Sequence, residues 1–397
     1  MFHKSKTMVF FLILIFSLSA CGVNNNTRDD RQVNLYIGVK DRESLNMISY
    51  VVDEYRKANP QTKLNINNSI GEKIDGGMSD NGNTDVAFIS RTDMLSLARK
   101  GILSDMRNLY RENNLNERYY GASRYYGRFN DRYYGIALLP YTIEILCNEK
   151  AFSELNLKVP NSMDEFMNSL KVINSTGKSV PVVLNEDMDI NTILFSMVSN
   201  NLVTARKLEN IYDSGPSAYK SLGEIQGCFD SLENMVKNGY INEDTFEIGS
   251  KSTLKNFEKD NIPAIITSSY YLGDIRNPSI KCVEYKNPVM ADVIISTPVN
   301  DKNTDGVDDF IKFILSDGVQ KKLFKKGFVT GDKKVNVSGG NVNKSVMEHL
   351  KNSTENDMAI IYNLPKNFRY NISKEIDDIF SGKYSGSEWN ETVEKSY

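Results

Sequence analysis

The chain has 397 residues, 40% of them hydrophobic and 25% charged, with 48 Lys and Arg against 51 Asp and Glu and a formal net charge of −3. That balance belongs to a globular protein of two or three domains and excludes the extended basic surface that a nucleic-acid partner requires. Two histidines in the whole chain leave almost nothing for His-based catalysis or a His-built metal site.

The first element is a leader. His3, Lys4 and Lys6 precede the apolar run MVFFLILIFSL, which is short for a membrane span. Small residues and Cys21 follow. A basic start, an apolar middle and a small-residue exit make an export signal over residues 1–21. The cysteine at the cut site resembles the bacterial lipobox, which implies lipidation of Cys21 and an anchor that does not span the membrane. A plain secretory signal or an uncleaved anchor is the alternative. Residues 22–32 are polar and unpatterned, and read as a flexible tether.

The mature chain then alternates. Val33 to Val39 reads as a strand rich in β-branched residues. Leu45, Ile48, Val52 and Tyr55 mark one helical face, stopped by Pro60. KLNINN is a second strand, Thr84 to Ser90 a third, and DMLSLARKGILSDM a helix ending near Gly101. Strand and helix in turn predict a parallel sheet covered by helices. Tyr133 to Phe152 holds two β-rich runs broken by Pro140. Ser162 with Glu165 three residues on predicts a capping box at a helix start. SVPVVL is a buried strand, and a helical stretch runs on to about Tyr240. TLKNFEKDNIPAIITSS gives a helix then a strand, DGVDDFIKFILSDGVQKKLFKKG two linked helices, and the last segment is helical.

Cys147, Cys228 and Cys282 remain after the leader, an odd number without paired spacing. They predict buried single thiols, with at most one disulfide. Between Glu117 and Gly135 stand three Tyr-Tyr-Gly triplets. Such density suits either a sugar-stacking platform or packing with wet hydroxyls.

The order of segments resembles the family 1 extracellular solute-binding proteins of ABC importers. The residues that carry the resemblance are the strand and helix ending YRKANP, TDVAFIS followed by ARKGILSDM, RYYGIALLPYTIEILCNEKAFSELNLKVPNSMDEF, NFEKDNIPAIITSSY, and VDDFIKFILSDGVQKKLFKKG. Met163 stands where the family pattern has Trp, and Ser269-Tyr270 where it has Gly-aromatic. The resemblance implies an α/β, two-lobe periplasmic-binding-protein-like fold (type II) with a ligand cleft between hinged lobes. The lobes are expected as 33–139 with 264–312, and 140–263 with 313–397. Tyr133 and Tyr134 should then pack at the hinge, with Gly135 supplying an unusual backbone angle. Trp389 is expected as a packing aromatic.

In open α/β sheets, ligands sit beyond the strand C-termini. The candidates there are Asp41 and Arg42 with Lys40, Ser90 and Arg91, Tyr141, Asn185 and Glu186, and Ser269, Tyr270 and Tyr271. A sugar needs aromatic faces with amides, carboxylates or Arg for its hydroxyls. An anion would need Arg and a helix N-terminus, which Arg42 and Arg91 supply. With His3 in the leader, only His349 is left, in a helix-like setting without triad spacing. The Asp-rich stretch before Phe310 lacks the alternate ligands of a calcium loop. The expected function is therefore binding without catalysis, without cofactor or metal. The resemblance implies a monomer that captures a small polar solute, a sugar or oligosaccharide by family weight, and passes it to an ABC permease. The alternatives are a surface lipoprotein of the same fold docking on a sensor kinase, and a secreted glycoside hydrolase.

Overall fold

A computed structural model describes residues 32–68, 83–185, 188–259, 262–299, 304–336 and 341–397. The leader with Cys21, nearly all of the tether, and Glu186 lie outside the described residues.

Eleven strands build two sheets: β1 (Gln32–Ile37), β2 (Lys63–Asn67), β3 (Val86–Ile89), β4 (Ile136–Ala137), β5 (Pro140–Asn148), β6 (Val180–Val183), β7 (Phe246–Ile248), β8 (Ala264–Ser268), β9 (Ile280–Cys282), β10 (Val289–Ala291) and β11 (Ile294–Ser296). Ten of the helices matter below: α1 (Arg42–Ala58), α2 (Arg91–Arg99), α3 (Gly121–Tyr126), α4 (Ile190–Ser199), α5 (Ala205–Ile211), α6 (Lys251–Phe257), α7 (Thr304–Leu315), α8 (Asp317–Lys325), α9 (Asn341–Asn352) and α10 (Lys366–Phe380).

The first sheet runs β2-β1-β3-β11-β4. β1 is parallel to β2 and β3, while β11 returns antiparallel beside β3. Parallel neighbours need crossover helices, and α1 supplies one, burying Met47, Ile48, Val51, Val52 and Tyr55 on the face its periodicity marked. Tyr55 meets Phe310 of α7 edge-on, with centroids 4.9 Å apart.

The second sheet is built around β5, in the order β9-β5-β8-β6-β7, with β10 also on β5. All nine β5 residues are buried, as expected of a strand covered on both faces. Pro140 does not interrupt it but begins it, opposite Ala291 of β10, a strand-start position that needs no donor from Pro. Trp389 is 1% exposed and donates its indole N–H to the Tyr219 carbonyl at 2.8 Å, so it packs in this lobe's core. The helix Met163–Ser175 begins at Ser162, which accepts from the Glu165 N–H at 3.3 Å. The Glu165 carboxylate accepts from the Asn161 N–H instead of the Ser162 N–H, so the box closes one residue early.

The chain crosses between lobes after β4, where Leu138 and Leu139 link the two sheets, again at Asp292 and Val293 between β10 and β11, and a third time between α8 and α9. Two parts of the expected lobe boundaries change. Residues 264–291 do not join the first lobe: β8 pairs antiparallel with β5, and β9 and β10 do the same. α8 does not join the second, because Val319 and Leu323 are buried in the first lobe's core. Both sheets contain buried apolar strands, so hydrophobicity could not say which one a strand would join.

The tyrosine triplets pack. Tyr119, Tyr120 and Tyr126 are buried. Tyr126 donates to the Val289 carbonyl at 2.8 Å, and Tyr133 stacks on Tyr110 at 3.9 Å. Gly135 is needed for close approach and not for an unusual angle. It is absent from the positive-φ glycines, and a Cβ there would lie 2.2 Å from Ile294 Cγ2. The three described cysteines are free thiols, with Cys147 and Cys228 buried and Cys282 half-buried.

Candidate ligand-binding cleft

Four helices begin at the gap between the lobes. Asp41 caps α1, its Oδ1 accepting from the Ser44 N–H at 2.8 Å. Ser90 caps α2, accepting from the Asp93 N–H at 3.1 Å and donating to Asp93 Oδ2 at 2.6 Å. In the second lobe Asp189 caps α4, accepting from the Thr192 N–H and hydroxyl, each at 2.7 Å. Pro365 precedes α10 and gives no side-chain cap. The three side-chain caps sit where a strand or turn hands over to a helix, which is why short polar residues occupy these positions.

Between these ends lies a cleft of about 600 Å³. The first lobe lines it with residues around Lys40 and Asp93, the crossing with Asp292, and the second lobe with Asn185, Asp189, Tyr362 and the α10 residues Lys366, Arg369, Tyr370 and Ser373. Tyr370 is 73% exposed and presents an open aromatic face at the cleft. Burial pushes the Asp93 carboxyl up, against the Ser90 hydrogen bond and the charges of Lys366 and Lys40. Burial also holds Tyr141 well above the usual phenol range, with Asp292 adding to it.

The floor is a polar cluster. Asp292 accepts from the Tyr141 hydroxyl at 2.7 Å and from Asn185 Nδ2 at 2.6 Å. Asn185 is 3% exposed, and its Oδ1 has no hydrogen-bond partner among the described residues.

The sequence candidates divide. Asp41, Ser90 and Asn185 line the cleft. Tyr141 is fully buried beneath it and reaches it through Asp292. Arg42 and Tyr271 line a small annex of about 30 Å³, shared with Asp41, Glu43, Asn185 and Lys251. Ser269 is buried, its hydroxyl accepting from the Thr142 N–H at 3.0 Å. Tyr270 donates to the Leu139 carbonyl at 3.0 Å and lies against Tyr141 at 4.4 Å. Both thus brace the crossing strand.

Arg91 touches the cleft wall but its guanidinium is spent elsewhere. It is 1% exposed. Nε donates to Asn363 Oδ1 at 2.8 Å, and Nη1 to the carbonyls of Tyr126 at 2.5 Å and Arg128 at 3.1 Å. Glu209 lies 3.9 Å away. Burial pulls the guanidinium down and Glu209 opposes it. The anion reading loses this residue, because a side chain following a strand can turn into the protein as readily as out of it.

Asp292, Lys366, Arg369 and Tyr370 were missed. A strand-end rule finds only residues that follow a recognised strand. Asp292 directly follows β10, a strand the sequence reading did not identify, and the others come from a helix more than 70 residues further on in the sequence. No cluster of three or more His, Cys, Asp or Glu able to hold a metal occurs among the described residues. No described helix is long and apolar enough to cross a membrane.

Comparison with known proteins agrees with this architecture. A family 1 extracellular solute-binding protein from Bifidobacterium longum subsp. infantis superposes with a TM-score of 0.66 at 14% identity, over 92% of this chain and 98% of that one. RafE of Streptococcus pneumoniae, solved in complex with raffinose, gives 0.61 at 16% identity, over 92% and 99%. Another S. pneumoniae solute-binding protein, in complex with the blood group A-trisaccharide, gives 0.65 at 13% identity, over 91% and 98%. No curated protein sequence matches the chain at a significant level. The family model described as bacterial extracellular solute-binding protein matches residues 45–321, and with two lobes joined by three crossings around a cleft, the chain belongs to that family.

Proposed function

We propose that the protein captures a saccharide in the interlobe cleft and hands it, unaltered, to an ABC importer, while a lipid on Cys21 holds it at the outer face of the membrane. The observation that carries the saccharide reading is that Asn185, whose buried Oδ1 accepts no hydrogen bond among the described residues, lines the same cleft as the open ring of Tyr370. A sugar ring brings both complements, hydroxyls for the acceptor and a C–H face for the ring. Structurally similar proteins solved with raffinose and with a blood group trisaccharide support the same class of ligand. The cleft volume, about 600 Å³, falls within the usual range for small-molecule sites.

The test is a thermal-shift and calorimetric screen of residues 32–397 against neutral oligosaccharides, acidic oligosaccharides, polyamines, peptides and organic anions. A true ligand at a hundredfold excess over its Kd stabilises the fold by about 2.7 kcal/mol. A hit among saccharides, recovered unchanged, is expected. A hit confined to peptides or organic anions, or hydrolysis of the bound glycan, rejects the reading.

A further inference from the structure

We propose that the first lobe carries a docking face for anionic lipid headgroups, built from α8, the last turn of α1 and the start of β2, and that this face lies against the membrane to which the chain is tethered. The tether rests on the reading of Cys21 as lipidated, whereas the face itself lies wholly within the described residues.

Four lysines stand in the stretch QKKLFKKG. α8 buries Val319, Gln320 and Leu323 and leaves Lys321, Lys322 and Lys325 exposed. The last turn of α1 adds Arg56 and Lys57. The two helices are joined through Glu54, which accepts from Lys57 Nζ at 3.0 Å and from Lys322 Nζ at 2.5 Å. β2 begins beside them, with Arg56 Nη2 donating to the Leu64 carbonyl at 3.4 Å and Lys63 exposed. These six cations share one continuous face with two carboxylates, Asp53 and Glu54. The acids at the start of α7, Asp305, Asp308 and Asp309, group instead with Lys312 and Glu112. The face is basic in a chain whose net charge is −3, so attraction to an anionic plane also orients the molecule.

The point where the chain enters the lobe decides the occupant. Lys63 pairs in register with Gln32, the first described residue. Eleven residue steps separate Gln32 from Cys21, a reach of at most about 40 Å. A lipid on Cys21 therefore holds this edge of the lobe near the bilayer, and a short tether raises the effective concentration of headgroups into the millimolar range. Each Lys or Arg near an anionic leaflet strengthens binding roughly fivefold, so weak contacts suffice. Gly38 to Asp41, which line the cleft, lie at the other end of β1, and the docked posture leaves the cleft clear of the lipid.

Vesicle binding tests this on residues 32–397, which lack the lipid. Sedimentation with phosphatidylcholine vesicles containing about 30% phosphatidylglycerol, at about 0.01 M salt, should capture the protein, and phosphatidylcholine alone should not. The affinity should fall at least tenfold at about 0.15 M salt. The triple variant Lys57→Gln, Lys321→Gln, Lys325→Gln should bind at least tenfold more weakly. A control that removes the same charge from exposed positions of the second lobe, Lys158→Gln, Lys178→Gln, Lys383→Gln, should bind as the unsubstituted protein does. In the unsubstituted protein on vesicles, a lysine-acetylating reagent should spare Lys57, Lys321 and Lys325 and still modify Lys158, Lys178 and Lys383, a readout that does not depend on any variant folding. No capture by the anionic vesicles, equal losses in the two triple variants, or equal modification of the two lysine sets overturns the proposal. Binding of soluble polyphosphate without capture by the vesicles overturns it too, because the face would then serve a polyanion other than lipid. No saccharide enters the assay, so its failure leaves the proposed ligand standing, and the lack of a saccharide ligand leaves the face standing.

Discussion

His349, one of two histidines in the sequence, was placed by its surroundings in a helix without a catalytic partner. It lies on α9, with Nδ1 3.0 Å from Oε1 of Glu144, a carboxylate that is fully buried in β5 and also accepts from Asn287 Nδ2 at 3.1 Å. Burial alone would pull the imidazole down. The hydrogen bond and charge of Glu144, with Glu284 and Glu348 adding, lift it above its ordinary value. A pKa raised in the fold contributes stability that is fully present below the unfolded value, about 6.5, and is lost as pH rises through the folded value. Urea midpoints measured at increasing pH from about 6 should therefore fall in the native protein and stay flatter in His349→Gln. Equal slopes in the two proteins would show that the pair does not titrate in this window. Nothing in the sequence pointed to Glu144, because an alternating apolar run does not reveal which of its polar members is tied to a helix two hundred residues away.

At the scale of the element, α10 shows how a packing helix also becomes a wall. Phe368, Ile372, Ile376 and Ile379 are buried against the second lobe. Lys366, Arg369, Tyr370 and Ser373 fall on the opposite side and line the cleft. The 3.6-residue period therefore assigns both duties at once. Because Tyr370 is 73% exposed, Tyr370→Ala should leave the melting temperature nearly unchanged. It should weaken saccharide binding by roughly 0.5–1.5 kcal/mol, about two- to tenfold in Kd, as read by calorimetry with the best ligand of the screen. Unchanged affinity would remove the stacking role. The helix itself was legible from its amphipathic pattern. That its polar face closes a cleft was not, since a polar face reads the same whether it meets water or a ligand.

The whole molecule is braced where its lobes meet. Arg91 and Arg128 come from the first lobe, Glu209 and Glu355 from the second, with Arg128 3.5 Å from Glu209 and 2.8 Å from Glu355. Arg99 pairs with Asp213, and Glu43 pairs with Lys251 of α6 across the annex. The exposed pairs are worth little individually. The buried set is different, because removing one member strands the others. Arg91→Met should cost about 3–5 kcal/mol, measured as a drop in the urea midpoint, with the scattering radius of the ligand-free protein increasing as the lobes loosen. A stability change below about 1 kcal/mol would mean that the network is not formed in solution. The sequence by itself determined the alternation of strands and helices, the cap at Ser162, the packing place of Trp389 and the family, because each of these depends on local periodicity or on residues read in order. Tertiary structure alone decided which sheet β8 to β10 joined, that Arg91 turns inward to bind carbonyls, and that Asp292, Asn185 and Tyr141 meet. Those depend on pairings between segments more than about 30 residues apart, and a chain read in one dimension carries no distance between them.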